Sequence, residues 1–181
     1  MPVKIGAKAR SFSDPTGLLS DCHRRIEMFL GSLQRVAEVI DRPLTDEART
    51  ALESALRYFR ESASKHIADE EESLFPRLRQ LQDLKIEKAL AILDVLEGDH
   101  RKAEALHAEV DALGIQCLDQ DCLPVRQSGR FRQAVNDLAS MYGEHIRIED
   151  ELVFPVAKHT LSVTHRSAIA AEMASRRNAP L

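Results

Sequence analysis

Apolar positions recur along this chain at steps of three and four, and no stretch shows the two-residue alternation of a strand. Leu19, Cys22, Ile26, Phe29, Leu33, Val36 and Ile40 form one helix face, predicted to run to about Asp41. Asp14 is placed to cap it, and Pro15 to take its first position, where a missing N–H costs nothing. Pro43 interrupts the pattern; Thr45 can cap a second helix, whose N-terminus Asp46 and Glu47 favour. That helix carries Leu52, Leu56, Phe59, Ala63, His66, Glu70, Leu74 and Leu78 on one side, and Pro76 is expected to bend or end it. A third helix starts near Lys85, with Leu93, Leu96, His100, Ala103, His107 and Val110 in line. Gly114 and residues 115–129 read as a loop. The fourth helix begins near Gly129 and passes Phe131, Val135, Leu138, Tyr142, His145, Glu149 and Leu152 before Pro155. A last helix, about 162–176, carries Ile169 and Met173.

Four long amphipathic helices with short connections predict an all-α fold: an antiparallel four-helix bundle over residues 15–158. An irregular arm, 1–14, precedes it, and a short extra C-terminal helix and tail, 159–181, follow. That helix is expected to pack on the bundle, with a homodimer contact as the alternative. Only 7 of 181 residues are Gly and none is Trp, which suits helices. The net charge of −4 offers no electrostatic case for a nucleic-acid partner. No apolar run approaches the roughly 20 residues of a membrane span, and the N-terminus has no apolar core of a secretory signal. Cys22, Cys117 and Cys122 are odd in number and lack zinc spacing, so free thiols in a reducing cytoplasm are expected. Cys117 and Cys122 are near enough in sequence for pairing under oxidation to be the alternative.

A repeat changes the picture. "HIADEEESLFP" at 66–76 matches "HIRIEDELVFP" at 145–155 in six of eleven positions. Upstream, His23 precedes the first copy much as His100 precedes the second. The chain is therefore two similar helical hairpins, each carrying His followed by His-x-x-x-Glu, which implies pseudo-symmetry. Residues four apart share a helix face, so His66 with Glu70, and His145 with Glu149, reach toward one point each. His23 lies beside Leu19, Ile26 and Leu30, and His100 in line with Leu93, Leu96 and Ala103, all on inward faces. Buried carboxylates are costly unless paired or bound to metal, and neutral imidazoles are good metal ligands. The six residues thus read as a metal site. Glu71 and Glu72 read as solvated helix surface, and His107, His159 and His165, which lack repeat partners, as structural or surface residues.

At these residues the chain resembles the hemerythrin-like (HHE cation-binding) family over about 15–158. The resemblance implies a four-helix bundle holding a non-haem centre of two Fe ions, oxo- or hydroxo-bridged. Its ligands would be His23, His66, Glu70, His100, His145 and Glu149, with both glutamates bridging. Imidazole and carboxylate also suit Zn or Mn as substitutes. The oxygen-carrying members have a second His four residues after the third-helix His; here that residue is Glu104, and Glu27 stands in the same relation to His23. Both are candidates for additional metal ligands, for hydrogen bonds to ligands, or for surface pairs with Arg. Two six-coordinate ions offer twelve positions, of which the six residues and a bridge would leave two for an exogenous ligand. The resemblance implies dioxygen, peroxide or nitric oxide as that ligand. The alternatives are a non-enzymatic module for iron or zinc storage or regulation, and iron–sulfur cluster repair. Repair proteins of this type carry an extra Cys-bearing N-terminal domain, whereas about 14 residues precede the first helix here. Carriage, sensing and turnover stay open at this level.

Overall fold

A computed structural model describes residues 12–81 and 86–179. The predicted arm lies outside these residues up to position 11, as does Lys85, the expected start of the third helix. Helix α1 spans Pro15–Ala37, with the Asp14 carboxylate accepting from the Gly17 N–H at 3.2 Å. Helix α2 runs over 46–79, capped by Thr45, whose hydroxyl accepts from the Ala48 N–H. Helix α3 is Glu87–Gln120 and α4 runs over 125–160. Helix α5 is Val163–Arg176, capped by Ser162. No strand occurs among the described residues. Helices α1 to α4 form a closed ring in which α1 packs on α2, α2 on α3, α3 on α4 and α4 on α1. This is the antiparallel bundle that short connections require.

Three boundaries differ from expectation. Helix α1 stops at Ala37 and 38–42 form turns, yet Ile40 stays fully buried. There the Ile40 carbonyl accepts from the Leu123 N–H at 2.7 Å, tying two loops together at one bundle end. Gly114 lies inside α3 rather than in a loop, and the helix continues to Gln120. A Cβ at Gly114 would lie 2.7 Å from a Leu56 methyl, so this glycine marks a close approach of α3 to α2, not a break. The helix ends at Asp121, whose φ of 69° is left-handed, and α4 starts at Val125 instead of Gly129. Cys117 is buried inside α3, and all three thiols are free.

Pro76 does not end α2. The helix widens into π turns at Phe59–Ala63 and Asp69–Leu74 and resumes at Phe75–Arg79. Helix α4 does the same, widening at Glu149–Val153 and resuming at Phe154–Thr160 with Pro155 at its start. In both, the regular bond that proline cannot make is already absent where it enters, so the chain continues.

Two apolar clusters form the core. One includes Ile26, Leu30, Leu56, Ala103, Leu138 and Ile146; the other includes Leu19, Leu74, Phe75, Leu96, Val153 and Met173. His23 falls between Leu19 and Ile26, His100 between Leu96 and Ala103, and Glu149 between Ile146 and Val153. A polar layer is therefore sandwiched between apolar ones.

Helix α5 buries Ile169, Ala170, Met173 and Ala174 and packs on α1 and the second π turn of α2. Asp69, fully buried in that turn, accepts from Arg176 at 3.0 Å and from Arg177 at 2.5 Å. Arg77 and Glu172 add a two-pronged pair at 3.0 and 2.7 Å. Asp69→Ala takes from Arg176 and Arg177 the buried carboxylate they share, leaving Arg176 to Ser73 and Glu72 and Arg177 to the Met173 carbonyl. It is expected to lower folding stability by about 3 kcal/mol, the usual result of removing one partner of a buried pair. Urea unfolding measures this, and an unchanged midpoint would show that the Asp69 pairs contribute nothing to holding α5.

Candidate metal centre

All six predicted residues meet in the polar layer. His23, His66, Glu70, His100, His145 and Glu149 are each at most 5% exposed. Their ligand atoms fall into two sets. One comprises His23, His66, Glu70 and Glu149; the other comprises Glu70, His100, His145 and Glu149. Within each set the atoms lie within 4.8 Å of one another. The glutamates belong to both. One Glu70 oxygen lies 3.2 Å from His66 Nε2, and the other lies 3.4 Å from His100 Nε2. Glu149 Oε2 lies 3.1 Å from His23 Nε2 and 3.2 Å from His145 Nε2.

Helix geometry explains the convergence. His66–Glu70 and His145–Glu149 are i,i+4 pairs, and each glutamate stands at the start of a wide turn. Such turns recur where a helix redirects side chains at functional sites. Phe154 stacks on His23 at 5.2 Å between ring centres, and Phe75 on His100 at 6.4 Å. The repeated Phe-Pro therefore serves the site as well as the helix: Phe walls the imidazole of the opposite hairpin.

The electrostatics suit a cation. Both oxygens of Glu70 and of Glu149, together with His23 Nε2, are buried without a hydrogen-bond partner among the described residues. Unsatisfied buried carboxylate oxygens are rare, and an ion between them would supply their missing partner. Burial, reinforced by the neighbouring Glu149 charge, pushes the Glu70 carboxyl well above the usual range. Burial also opposes ionisation of Glu149, but His145 and His23 outweigh it and hold that carboxyl well below the usual range. Burial disfavours a charged His23, but Asp150 and Glu149 prevail and raise it to about 9. Burial, with His23 adding to it, lowers His66 well below an ordinary imidazole, so it is neutral as a ligand must be.

The outer nitrogens of His23 and His100 find carboxylates that sequence reasoning passed over. His23 Nδ1 lies 3.1 Å from Asp150, which also accepts from Ser20 at 2.7 Å and pairs with Arg24. His145 Nδ1, 3.8 Å from Asp99, and His66 Nδ1 have no hydrogen-bond partner among the described residues, whereas His100 Nδ1 lies 2.7 Å from Glu71. Such partners orient an imidazole and raise its basicity toward a metal. Glu71 is thus not solvated surface: it is half-buried and bound to His100, because the wide turn swings the residue after Glu70 toward α3. Its repeat equivalent is Asp150, so each hairpin lends an acid to the other's upstream His. An acidic residue after each central glutamate was the available signal. Glu72 does lie on the surface, paired with Arg176.

Glu27 and Glu104 stand outside both sets. Glu27 sits at the edge of the apolar face of α1, is exposed, and pairs with Arg24 at 2.9 Å. Glu104 is exposed on α3. His107 accompanies the site: its Nε2 is 3.0 Å from the Tyr142 hydroxyl, and Tyr142 meets His145 edge-on at 6.2 Å. Burial lowers His107 to about 4, so this imidazole is neutral. His159 is exposed and His165 half-buried at the edge of α5.

The sequence model of the hemerythrin HHE cation binding domain matches residues 14–158, most of the chain and all six residues. The chain belongs to the hemerythrin HHE cation-binding family. A comparison with curated proteins gives no match. For an HHE domain the His/Glu clusters are the expected place for a cation, and the orphaned carboxylate oxygens lie where such an ion needs ligands. No helix among the described residues is long and apolar enough to cross a membrane.

Proposed function

We propose that this HHE protein holds a non-haem pair of irons and uses it to bind or sense dioxygen, or to react with peroxide or nitric oxide. The observation that carries the reading is the sharing of Glu70 and Glu149 between two His pairs. Two carboxylates common to two imidazole sets fit two ions side by side better than one ion alone. Bound iron would supply reversible electron transfer to a small ligand. His23, His66, His100 and His145 would hold the ions through Nε2 and leave Nδ1 outward. Asp150 and Glu71 would fix the rings of His23 and His100, while Phe154 and Phe75 exclude water from their faces. Zinc or manganese would fit the same donors, and the redox proposal therefore rests on iron.

The test is optical. Iron-loaded, reduced protein is titrated under argon with dioxygen, peroxide and nitric oxide in turn, and its visible spectrum followed. At least one ligand is expected to produce a saturable change. Stoichiometric iron with a spectrum that none of the three alters would reject this reading in favour of storage or regulation by metal.

A further inference from the structure

A cavity of about 310 Å³ opens between α2 and α3 and reaches the His100 side of the centre. Its inner end is lined by His100, which is 5% exposed, and by Glu71, bound to it. Its wall includes Phe59, in the first π turn of α2, and Ser64 just beyond that turn. Its outer end carries the exposed side chains of Arg101 and Glu104. Neither of those is ion-paired among the described residues, so both charges act on whatever passes.

We propose that this cavity is the route by which small ligands reach the centre, and that Glu104 and Arg101 tune it by charge. Glu104, together with Glu71 further in, holds anions back, while Arg101 draws them. Neutral molecules pass without a charge-dependent step. The inference rests on the iron reading above for its readout but makes its own claim about path and charge. It also gives Glu104 a role that needs no contact with metal. It sits one helical turn beyond His100 and lines the same cavity, where it borders the path to the centre.

Azide and nitric oxide serve as anionic and neutral probes of similar size, with association rates read by stopped-flow absorbance on iron-loaded protein. One unit charge roughly 6 Å from the path, in water, changes an ion's rate by about threefold, and salt screens the effect. Glu104→Gln is therefore expected to speed azide about threefold at low salt and Arg101→Gln to slow it about as much. Both differences should shrink at high salt, with nitric oxide unmoved. Ser64→Trp, at an exposed wall position, is expected to slow both probes at any salt. Iron content and melting temperature are measured on each variant. Azide rates indifferent to both charge changes would overturn the tuning, and probe rates indifferent to Ser64→Trp would overturn the route. Wild-type protein that binds iron but shows no spectral response to azide, nitric oxide, dioxygen or peroxide would instead overturn the small-ligand reading on which the inference rests.

Discussion

Glu70→Ala is expected to empty the centre of both ions, whereas His66→Ala should weaken chiefly one. Glu70 presents one oxygen to His66 and the other to His100, so its removal takes a ligand from each set at once. It also leaves two opposed His pairs with Glu149 as the one remaining anion between them. His66 belongs to one set alone. After reconstitution with iron and desalting, metal analysis should show about two irons per chain in the wild type and well under one in Glu70→Ala. Glu71→Gln should keep the ions but weaken them about tenfold or more, the usual effect of removing a ligand's hydrogen-bond partner. Equal losses in Glu70→Ala and His66→Ala would show that the carboxylate is not shared.

The second large effect is on pH. His23 is raised to about 9 in the metal-free fold, so it holds a proton that a metal must displace, and burial shifts Glu70 upward in the same sense. Both folded-state values exceed the unfolded ones. The stability they contribute is therefore fully present below the unfolded values and is lost as pH rises through the folded ones. Between about pH 6.5 and 9 the metal-free protein loses the His23 contribution. Over the same range metal binding becomes easier by up to about tenfold per pH unit for that proton alone. Glu149 is shifted the other way, so its contribution is present above the ordinary carboxylate range and lost only in acid, outside this window. The gap in melting temperature between metal-loaded and metal-free protein should widen steadily from pH 6.5 to 9. A gap constant across that range would mean that no proton is displaced and that His23 is not a ligand.

Most of the bundle and the inner six residues were legible because both rest on helix periodicity. Inward Leu and Ile positions at three- and four-residue steps also place His23, His66, His100 and His145, and a repeat across two hairpins is hard to produce without a shared centre. What the pattern missed was set by contacts between helices. Gly114 looks like a break until Leu56 is seen against it, and α3 runs on past it to Gln120. Pro76 looks like a stop because periodicity assumes a regular turn, and the wide turn at Asp69–Leu74 is invisible to it. The same turn carries Glu71 to His100 instead of to solvent. Asp69, in an apparently acidic surface run, is buried because Arg176 and Arg177 reach it from more than a hundred positions away. Periodicity also left Glu27 and Glu104 undecided, since residues four apart can diverge at the edge of a face; the packing turns both outward.

The iron-to-chain ratio of reconstituted wild-type protein, read together with its Mössbauer spectrum, tests the central claim most directly. The shared carboxylates predict about two irons per chain in one magnetically coupled pair. One iron or fewer per chain, or two that show no coupling, would contradict the account.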